Sequence, residues 1–288
     1  MNAVAEFRPC ITSRVPSDEY RALPGTSITR LKELRRSPKH YRYALAHPRE
    51  TTALKLGTAS HVAVLEPERF DRQFAIWSRR STKTKKLCPR NGKFYSGFLA
   101  AHPGRDVLTV DEAEEAMTIQ AAVRAEPAAM RYLEMGDPEV TLQWTIRGRQ
   151  CKGRADWLTR IDGKPYLVGL KTARDPRHFI FGNQAARLGY HLQWAYYFDG
   201  YQFITDDVPG MKEIVVENSP PYDVVVYDVP DDIIQQGRDE YMVLLDQLAE
   251  CEAANTWLGV ANGLEQTLTL PTWVYQAHDD ISELGLEA

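Results

Sequence analysis

The chain has 288 residues, and its 35 basic against 39 acidic side chains give a formal net charge of −4. This length favours one elaborated domain, residues 1–288, with a substantial core. Because the chain as a whole is slightly acidic, any nucleic-acid surface must be local. No apolar run approaches about 18 residues and no basic-then-apolar signal opens the chain, so we expect no membrane span and a cytoplasmic location.

The spacing of the cysteines and the absence of a nucleotide-binding motif exclude further classes of protein. The four cysteines are scattered without a C-x-x-C pair, which speaks against a zinc site and gives no disulfide framework: Cys10, Cys88, Cys151 and Cys251. No G-x-x-x-x-G-K-[ST] string is present, so an ATP-driven motor is not indicated.

In chain order, residues 1–25 lack periodicity and contain three prolines, so we interpret them as an arm or loosely packed lead-in. A helix follows from Ser27 to Pro38, because apolar residues recur there at helical spacing. It carries four basic side chains, Arg30, Lys32, Arg35 and Arg36. These side chains are either merely solvated or directed at a charged partner.

The stretch 53–66, ALKLGTASHVAVLE, predicts an apolar helix that carries His61. A lone histidine on such a helix is usually a hydrogen-bonded core residue. The alternative is that His61 is a metal ligand, and it depends on acidic partners elsewhere in the chain.

Residues 78–105 contain eight basic and no acidic side chains, with Phe94, Tyr95 and Phe98 interleaved. Such clusters supply phosphate contacts, and aromatic rings stack on exposed bases. The alternative is a flexible charged loop. In an otherwise acidic chain, we interpret the segment as DNA-facing, with these candidate contacts: Arg79, Arg80, Lys83, Lys85, Lys86, Arg90 and Lys93.

Three consecutive antiparallel strands are predicted after a helix that begins at Asp111. Residues 139–146 alternate apolar and polar side chains, 150–158 return, and Asp162-Gly163 makes a hairpin turn into 166–172. The strands carry Glu139, Asp156 and Lys171 respectively, and adjacent strands bring the last two side chains together.

The next helical segment places Gln193 and Tyr197 on one face, because they are four residues apart. Tyr190 lies on the same side. Further strands are predicted at 211–216 and 222–229, and Pro230 opens a long amphipathic helix to about Ala254.

This ordered set of residues resembles the PD-(D/E)xK nuclease superfamily, and within it the RecE (exonuclease VIII) type of phage recombination exonuclease. Lambda exonuclease and the Cas4-like nucleases are more distantly similar. The family's Pro-Asp appears as Ala155-Asp156, and its acid-x-Lys appears as Gly169-Leu170-Lys171. The strings LGTASH around His61, Ser37-Pro38-x-x-Tyr41, and Gln193-x-x-x-Tyr197 also match.

The resemblance implies an α/β (α+β) fold, a PD-(D/E)xK restriction-endonuclease-like core with a central mixed sheet flanked by helices. It implies an N-terminal DNA-end-facing part at about 1–70, a basic loop at about 78–105 and a nuclease core at about 111–255. In the N-terminal part, Ser27, Thr29, Arg30 and Arg35 would approach DNA.

The resemblance also implies the chemistry. A Mg²⁺ ion, which Mn²⁺ can replace, would be held by Asp156, the Leu170 main-chain carbonyl, His61 and Glu139. Lys171 would position the nucleophilic water and stabilise the transition state, with Gln193 and Tyr197 holding phosphate or metal-bound water. Gly169 stands where the family has its second metal-binding acid, which predicts a weakened or inactivated site.

The function implied is a Mg²⁺-dependent 5′-to-3′ exonuclease acting on double-stranded DNA ends in phage-type recombination. A ring-like trimer or tetramer and a single-strand annealing protein as partner are implied in the same way. Two alternatives stay open: a degenerate nuclease fold that only binds DNA, and another PD-(D/E)xK endonuclease or repair nuclease.

Overall fold

A mixed β-sheet forms the centre of the protein, whose computed structural model describes residues 7–47, 52–84, 86–270 and 272. Its strands run in the order β1-β5-β6-β7-β8-β9, β2 adds to β6, and β3 pairs with β4 in a separate ribbon. The strands are β1 (Cys10–Thr12), β2 (Thr26–Ser27), β3 (Phe74–Trp77), β4 (Asp106–Thr109), β5 (Asp137–Ile146), β6 (Arg149–Ile161), β7 (Lys164–Ala173), β8 (Gly210–Glu217) and β9 (Val224–Asp228).

Helices cover both faces of this sheet. They are α1 (Ser17–Ala22), α2 (Ile28–Leu31), α3 (Pro38–Ala46), α4 (Thr52–Leu65), α5 (Pro67–Gln73), α6 (Gly92–Ala101), α7 (Val110–Ala125), α8 (Pro127–Leu133), α9 (His178–Leu188), α10 (Tyr190–Thr205) and α11 (Asp231–Ala254), with a 3-10 turn at Lys32–Arg35. None of the described helices is both long and apolar enough to cross a membrane.

Alternation along β7 shows how the core divides into two layers. Leu167 packs with α10 and α11 on one face, whereas Val168 and Leu170 pack with α4, α7 and α8 on the other. Because both faces are buried, β7 and β8 are nearly continuous apolar runs. The predicted fold class, a central mixed sheet flanked by helices, is confirmed.

The predicted three-strand meander is present as β5, β6 and β7. Asp162 and Gly163 both have positive φ, 49° and 80°, which is the backbone of a type I′ hairpin turn. Aspartate followed by glycine tolerates this conformation, and the turn therefore fixes the register of β6 on β7.

The strands β6 and β7 separate at the middle of the sheet. Their pairing runs from Ile161↔Lys164 to Trp157↔Val168 and stops there. Beyond that point β6 continues on β5, while β7 continues on β8 in parallel. Asp156 and Gly169 are the first residues past the last pair, so they lie at the opening of a fork between the two strands.

The N-terminal segment differs from its interpretation as a loose arm. Cys10–Thr12 pairs with β5 and extends the sheet by one strand. Lys152 on β6 is buried, and its ammonium donates hydrogen bonds to the carbonyls of Tyr20, Arg21 and Leu23. The strand pairing and the Lys152 hydrogen bonds together hold residues 10–23 against the sheet, and local periodicity does not reveal these contacts.

Two local predictions change in detail. The cap of α7 is Thr109, not Asp111, since Thr109 and Glu112 form a reciprocal capping box. The basic segment 78–105 is not a plain loop either, because it contains α6 and a short bridge between Arg80 and Leu87.

Gly153 allows α10 to approach β6, and this contact predicts a stability effect. A Cβ at position 153 would lie 2.6 Å from the ring of Tyr197, so Gly153→Ala forces the two elements apart. We expect it to lower the free energy of unfolding by about 1–3 kcal/mol, the usual cost of overpacking. Urea unfolding followed by circular dichroism measures the change.

Gly97→Ala is the matched control, because Gly97 lies within α6 and its added Cβ meets no atom of the described residues within 4 Å. There the same substitution should be neutral or stabilise by about 0.5–1 kcal/mol. Equal stability of the Gly153→Ala and native proteins would contradict the close packing of Tyr197 on β6.

Candidate metal centre

Three side chains from three elements meet at the fork between β6 and β7. His61 comes from α4, Glu139 from β5 and Asp156 from β6, and one ligand atom of each lies within 4.8 Å of the others. Each side chain is partly buried. Among the described residues, this group brings together ligand types that suit a divalent cation.

An irregularity in β5 and β6 directs the two acids to this place. Glu139 has φ of +51°, a left-handed conformation that is uncommon outside glycine. On the neighbouring strand, Ala155 and Trp157 pack on opposite faces of the sheet, although strict alternation would put them on the same face. Glu139 and Asp156 lie at this break in alternation, which re-aims their side chains.

The Asp156 carboxylate links β6 to β7 by hydrogen bonds where the two strands separate. Oδ2 accepts a hydrogen bond from the Leu170 main-chain N–H at 2.8 Å and another from Lys171 Nζ at 3.1 Å. Oδ1 lies 3.9 Å from His61 Nδ1. Burial by itself would raise the pKa of Asp156, but the Lys171 charge, His61 and the Leu170 amide hold that pKa below its usual value, so the carboxylate is ionised.

Glu139 has a different electrostatic environment. Burial raises its pKa to about 7, against the attraction of Arg154, whose Nε lies 2.8 Å from Glu139 Oε2. The Asp156 charge contributes further to the rise. A bound cation would favour the ionised form of Glu139, so this carboxylate is poised to lose its proton when a metal binds.

His61 is suited to bind a metal in its neutral form. Burial lowers the pKa of its imidazole, and this effect outweighs the opposing attraction of Asp156. A neutral imidazole keeps a lone pair on one ring nitrogen, which is the form that ligates metals.

Lys171 lies against three oxygen atoms. Its Nζ is 3.1 Å from Asp156 Oδ2, 3.2 Å from the Leu170 carbonyl and 3.4 Å from Glu213 Oε1. Burial alone would lower the pKa of Lys171, but Asp156 and Glu213 raise it above its usual value. The ammonium group therefore stays charged beside the three-residue cluster.

Glu213 is the functional candidate that the sequence interpretation missed. It lies on β8 directly beside Gly169, and it is fully buried. A Cβ built on Gly169 would lie 2.5 Å from both carboxylate oxygens of Glu213, so this acid fills the space next to the family's acidic position. The available signal was Glu213 itself, a charge on the inward-facing side of the strand GMKEIVVE.

The structure also brings Gln193 and Tyr197 to the fork. Gln193 Nε2 donates a hydrogen bond to the Tyr197 hydroxyl at 3.3 Å. Both residues line a small cavity together with Asp156, Lys171 and Glu213. Their predicted position on one helix face opposite the strand pair agrees with this arrangement.

Lys32 is a second residue whose placement was not predicted. Burial and the nearby Lys171 charge together lower its pKa to about 8. Lys32 and Lys171 both lie near the Tyr190 ring, with Nζ 5.8 Å and 5.7 Å from its centroid. The N-terminal segment thus adds a positive charge close to the fork.

Several candidate DNA contacts have partners within the chain. Arg30 donates to the Ala44 carbonyl, Arg35 Nε lies 2.8 Å from Glu240, and Arg90 pairs with Glu112. Ser27 lies in β2 and Thr29 in α2. Lys85 lies outside the described residues. The remaining basic candidates are exposed: Arg79, which stacks over Phe94, and Arg80, Lys83, Lys86 and Lys93.

The donor set fits a hard divalent cation. Two carboxylates and the adjacent Leu170 carbonyl supply the oxygen atoms that Mg²⁺ prefers, and Mg²⁺ usually keeps several waters besides. The imidazole nitrogen of His61 fits Mn²⁺ better than Mg²⁺, because first-row transition ions bind nitrogen ligands more strongly. These residues could therefore hold either ion.

A mixed sheet with an aspartate and a lysine at a strand fork, flanked by a histidine-bearing helix, defines a PD-(D/E)xK-like nuclease fold. Residues 27–265 match the family described as "PDDEXK-like domain of unknown function (DUF3799)", and the chain belongs to this family. No curated protein matches the sequence.

A solved structure agrees on the fold. A protein named "Putative exonuclease" from Eubacterium rectale is similar at a TM-score of 0.61, with 13% identity over 92% of this chain and 99% of that chain. Two weaker matches are SSO0001, with TM-score 0.28, 14% identity and coverage of 75% and 84%, and VC1899 from Vibrio cholerae, with TM-score 0.21, 12% identity and coverage of 81% and 59%.

The mixed donor set predicts a preference among metals. Mn²⁺ should bind more tightly than Mg²⁺ by isothermal titration calorimetry, and His61→Ala should reduce the Mn²⁺ affinity more than the Mg²⁺ affinity. The reason is that the imidazole contributes chiefly to the transition-metal ion. His40→Ala is a suitable control, since His40 lies in α3 and its ring is hydrogen-bonded to Ser37, not to the His61, Glu139 and Asp156 cluster. An unchanged Mn²⁺ affinity in His61→Ala would remove His61 from the ligand set.

Proposed function

We propose that the protein is a Mg²⁺-dependent exonuclease that degrades double-stranded DNA from its ends, 5′ to 3′, in phage-type homologous recombination. The single observation that carries the proposal is the position of Lys171. A charged lysine lies 3.1 Å from Asp156 beside the His61, Glu139 and Asp156 cluster. A cation site beside a fixed positive charge promotes phosphodiester hydrolysis, because both stabilise the charge that develops on the phosphate.

Each group has a distinct part in the proposed reaction. When bound, Mg²⁺ would polarise the phosphate and lower the pKa of a coordinated water. Lys171 orients the attacking water and stabilises the charge that develops on the phosphate oxygens. Gln193 and Tyr197 supply an amide and a hydroxyl that can donate hydrogen bonds to the same phosphate.

Basic side chains support DNA as the substrate, and action on its ends is part of our proposal. Lys32 lies near Lys171, on the N-terminal side of the site, and the basic segment 78–105 exposes further lysines and arginines. The similar Eubacterium rectale protein carries an exonuclease name, which supports the same choice. We further propose a ring-like trimer or tetramer, which would thread a duplex past the site, and a single-strand annealing protein as partner.

One observation favours a second function, binding DNA without cutting it. Position 169 lacks the family's acid, and the Lys171 ammonium lies between the carboxylates of Asp156 and Glu213. A lysine that stays between these acids would keep a cation out. The protein would then hold DNA ends or a partner through the same basic surface.

Labelled linear and closed circular DNA separate these functions in the presence of Mg²⁺. We expect nucleotide release from the 5′ ends of linear duplexes and no nicking of circles. Lys171→Ala should reduce the rate on the order of 10²–10³-fold while DNA affinity stays within a few-fold, because Lys171 acts mainly on the transition state. Lys164→Ala, at the far end of β7, serves as the matched control.

Three results would decide against this proposal. Nicking of circular DNA would favour an endonuclease, and tight binding without any release would favour the binding function. Equal rates for Lys171→Ala and the native protein would remove Lys171 from the chemistry.

The basic segment predicts a salt effect on binding. Replacing Lys83, Lys85 and Lys86 by alanine should lower the slope of log K against log salt by about 0.9 for each phosphate of duplex DNA that these lysines neutralise. Fluorescence anisotropy with a blunt duplex at several salt concentrations measures this slope. An unchanged slope would show that these lysines are only solvated.

A further inference from the structure

Glu213 is a buried acid that the fold by itself does not explain. It lies in the central strand β8, between the apolar neighbours Met211 and Val215 on the same face, and none of its surface is exposed. Burying a carboxylate costs several kcal/mol unless partners compensate, and Glu213 has few of them among the described residues. Trp194 Nε1 donates to Oε2, whereas Oε1 has no hydrogen-bond partner in the described part of the chain and lies 3.4 Å from the Lys171 ammonium.

The acid points into the proposed site. Gly169 and Glu213 are paired residues of the parallel strands β7 and β8, so their side-chain positions face the same layer. Asp156 stands across β7 on the other side, and Lys171 lies between the two carboxylates. One small cavity is lined by Asp156, Gly169, Lys171 and Glu213 together.

A side chain at position 169 would displace the Glu213 carboxylate from the place that it occupies in this structure. The Cβ of any side chain at 169 would lie 2.5 Å from Oε1 and from Oε2 of Glu213, closer than atoms of this kind approach. The carboxylate of Glu213 on β8 thus lies where the side chain of an aspartate at position 169 on β7 would start. Glycine at 169 is what makes room for it.

We infer that Glu213 supplies, from the neighbouring strand, the second metal-binding carboxylate that position 169 lacks. This inference rests on the proposed nuclease function, and it changes the structural interpretation of the glycine at position 169. Gly169 then does not mark the loss of a metal-binding acid. Its missing side chain leaves the space that the Glu213 carboxylate occupies.

The alternative role for Glu213 is to hold Lys171 in place without touching a metal. Both roles predict slower DNA cleavage when Glu213 is changed, so activity does not separate them. Metal affinity does, because only a ligand contributes directly to it.

The experiment compares Mn²⁺ binding by isothermal titration calorimetry in the full-length native, Glu213→Gln, Gly169→Asp and Gly169→Asp/Glu213→Ala proteins. Glu213→Gln keeps the shape of the side chain and removes its charge. We expect it to weaken Mn²⁺ binding by more than about 100-fold, because a residue that only supports the site from the outer shell contributes about 10–100-fold in affinity.

Gly169→Asp alone should bind Mn²⁺ no better than the native protein and should lower Tm, because its side chain meets the Glu213 carboxylate. The double variant returns the acid to β7 after removing the acid on β8. We expect its Mn²⁺ affinity to recover to within a few-fold of native. Glu217→Gln, at the end of the same strand, is the control for losing a charge from β8.

Three outcomes would overturn the inference. A loss of Mn²⁺ affinity of about 100-fold or less in a folded Glu213→Gln protein would show that Glu213 only holds Lys171. If Glu213→Gln does not fold, the double variant decides: failure to bind Mn²⁺ while folded, or a Gly169→Asp single variant that binds more tightly than native, rejects the exchange of positions.

The metal readout also keeps this inference separate from the proposed function. A native protein that binds Mn²⁺ through Glu213 but releases no nucleotides would leave the inference intact and reject the exonuclease. A native protein that degrades DNA, together with a Glu213→Gln variant that keeps full Mn²⁺ affinity, would support the exonuclease and reject the inference.

Discussion

The hydrogen bond between the Leu170 main-chain N–H and the Asp156 carboxylate is the contact on which the rest of the site depends. Where β6 and β7 separate, each strand loses a neighbour, and a buried N–H without an acceptor is costly. Asp156 supplies that acceptor and is itself held at the opening of the fork. The same carboxylate then faces His61 on one side and Lys171 on the other.

The charges around the fork balance only as a group. The partly buried Asp156 and the fully buried Glu213 share the Lys171 ammonium, while Glu139 pairs with Arg154. Buried charges of this kind add little to stability compared with an apolar core of the same volume, and such groups cluster at functional sites. An enzyme with this arrangement keeps a fixed electrostatic field ready for a charged substrate and its cation.

The position of Gly169 shows why a motif in one strand is an incomplete description of such a site. What the chemistry requires is a carboxylate in a given volume, and a sheet offers that volume to side chains from two adjacent strands. A glycine on β7 and a glutamate on β8 fill it as completely as an aspartate on β7 would, because paired residues in neighbouring strands are about 5 Å apart. The sequence interpretation treated the glycine as a loss of the acid at position 169 and did not consider Glu213.

The sequence by itself determined the features that depend on local spacing. The Asp162-Gly163 turn, the alternation of β5 to β7 and the helical spacing of Gln193 and Tyr197 predicted the strand meander, the Asp156 and Lys171 pair, and the helix face opposite them. Only the tertiary structure decided the rest. These features are the left-handed backbone of Glu139, the half-burial of Lys32 beside Lys171 and the approach of Glu213 to Gly169, and the last two join segments far apart in the chain. Contacts of this kind arise from sheet order and packing, which leave no periodic trace in the residues themselves.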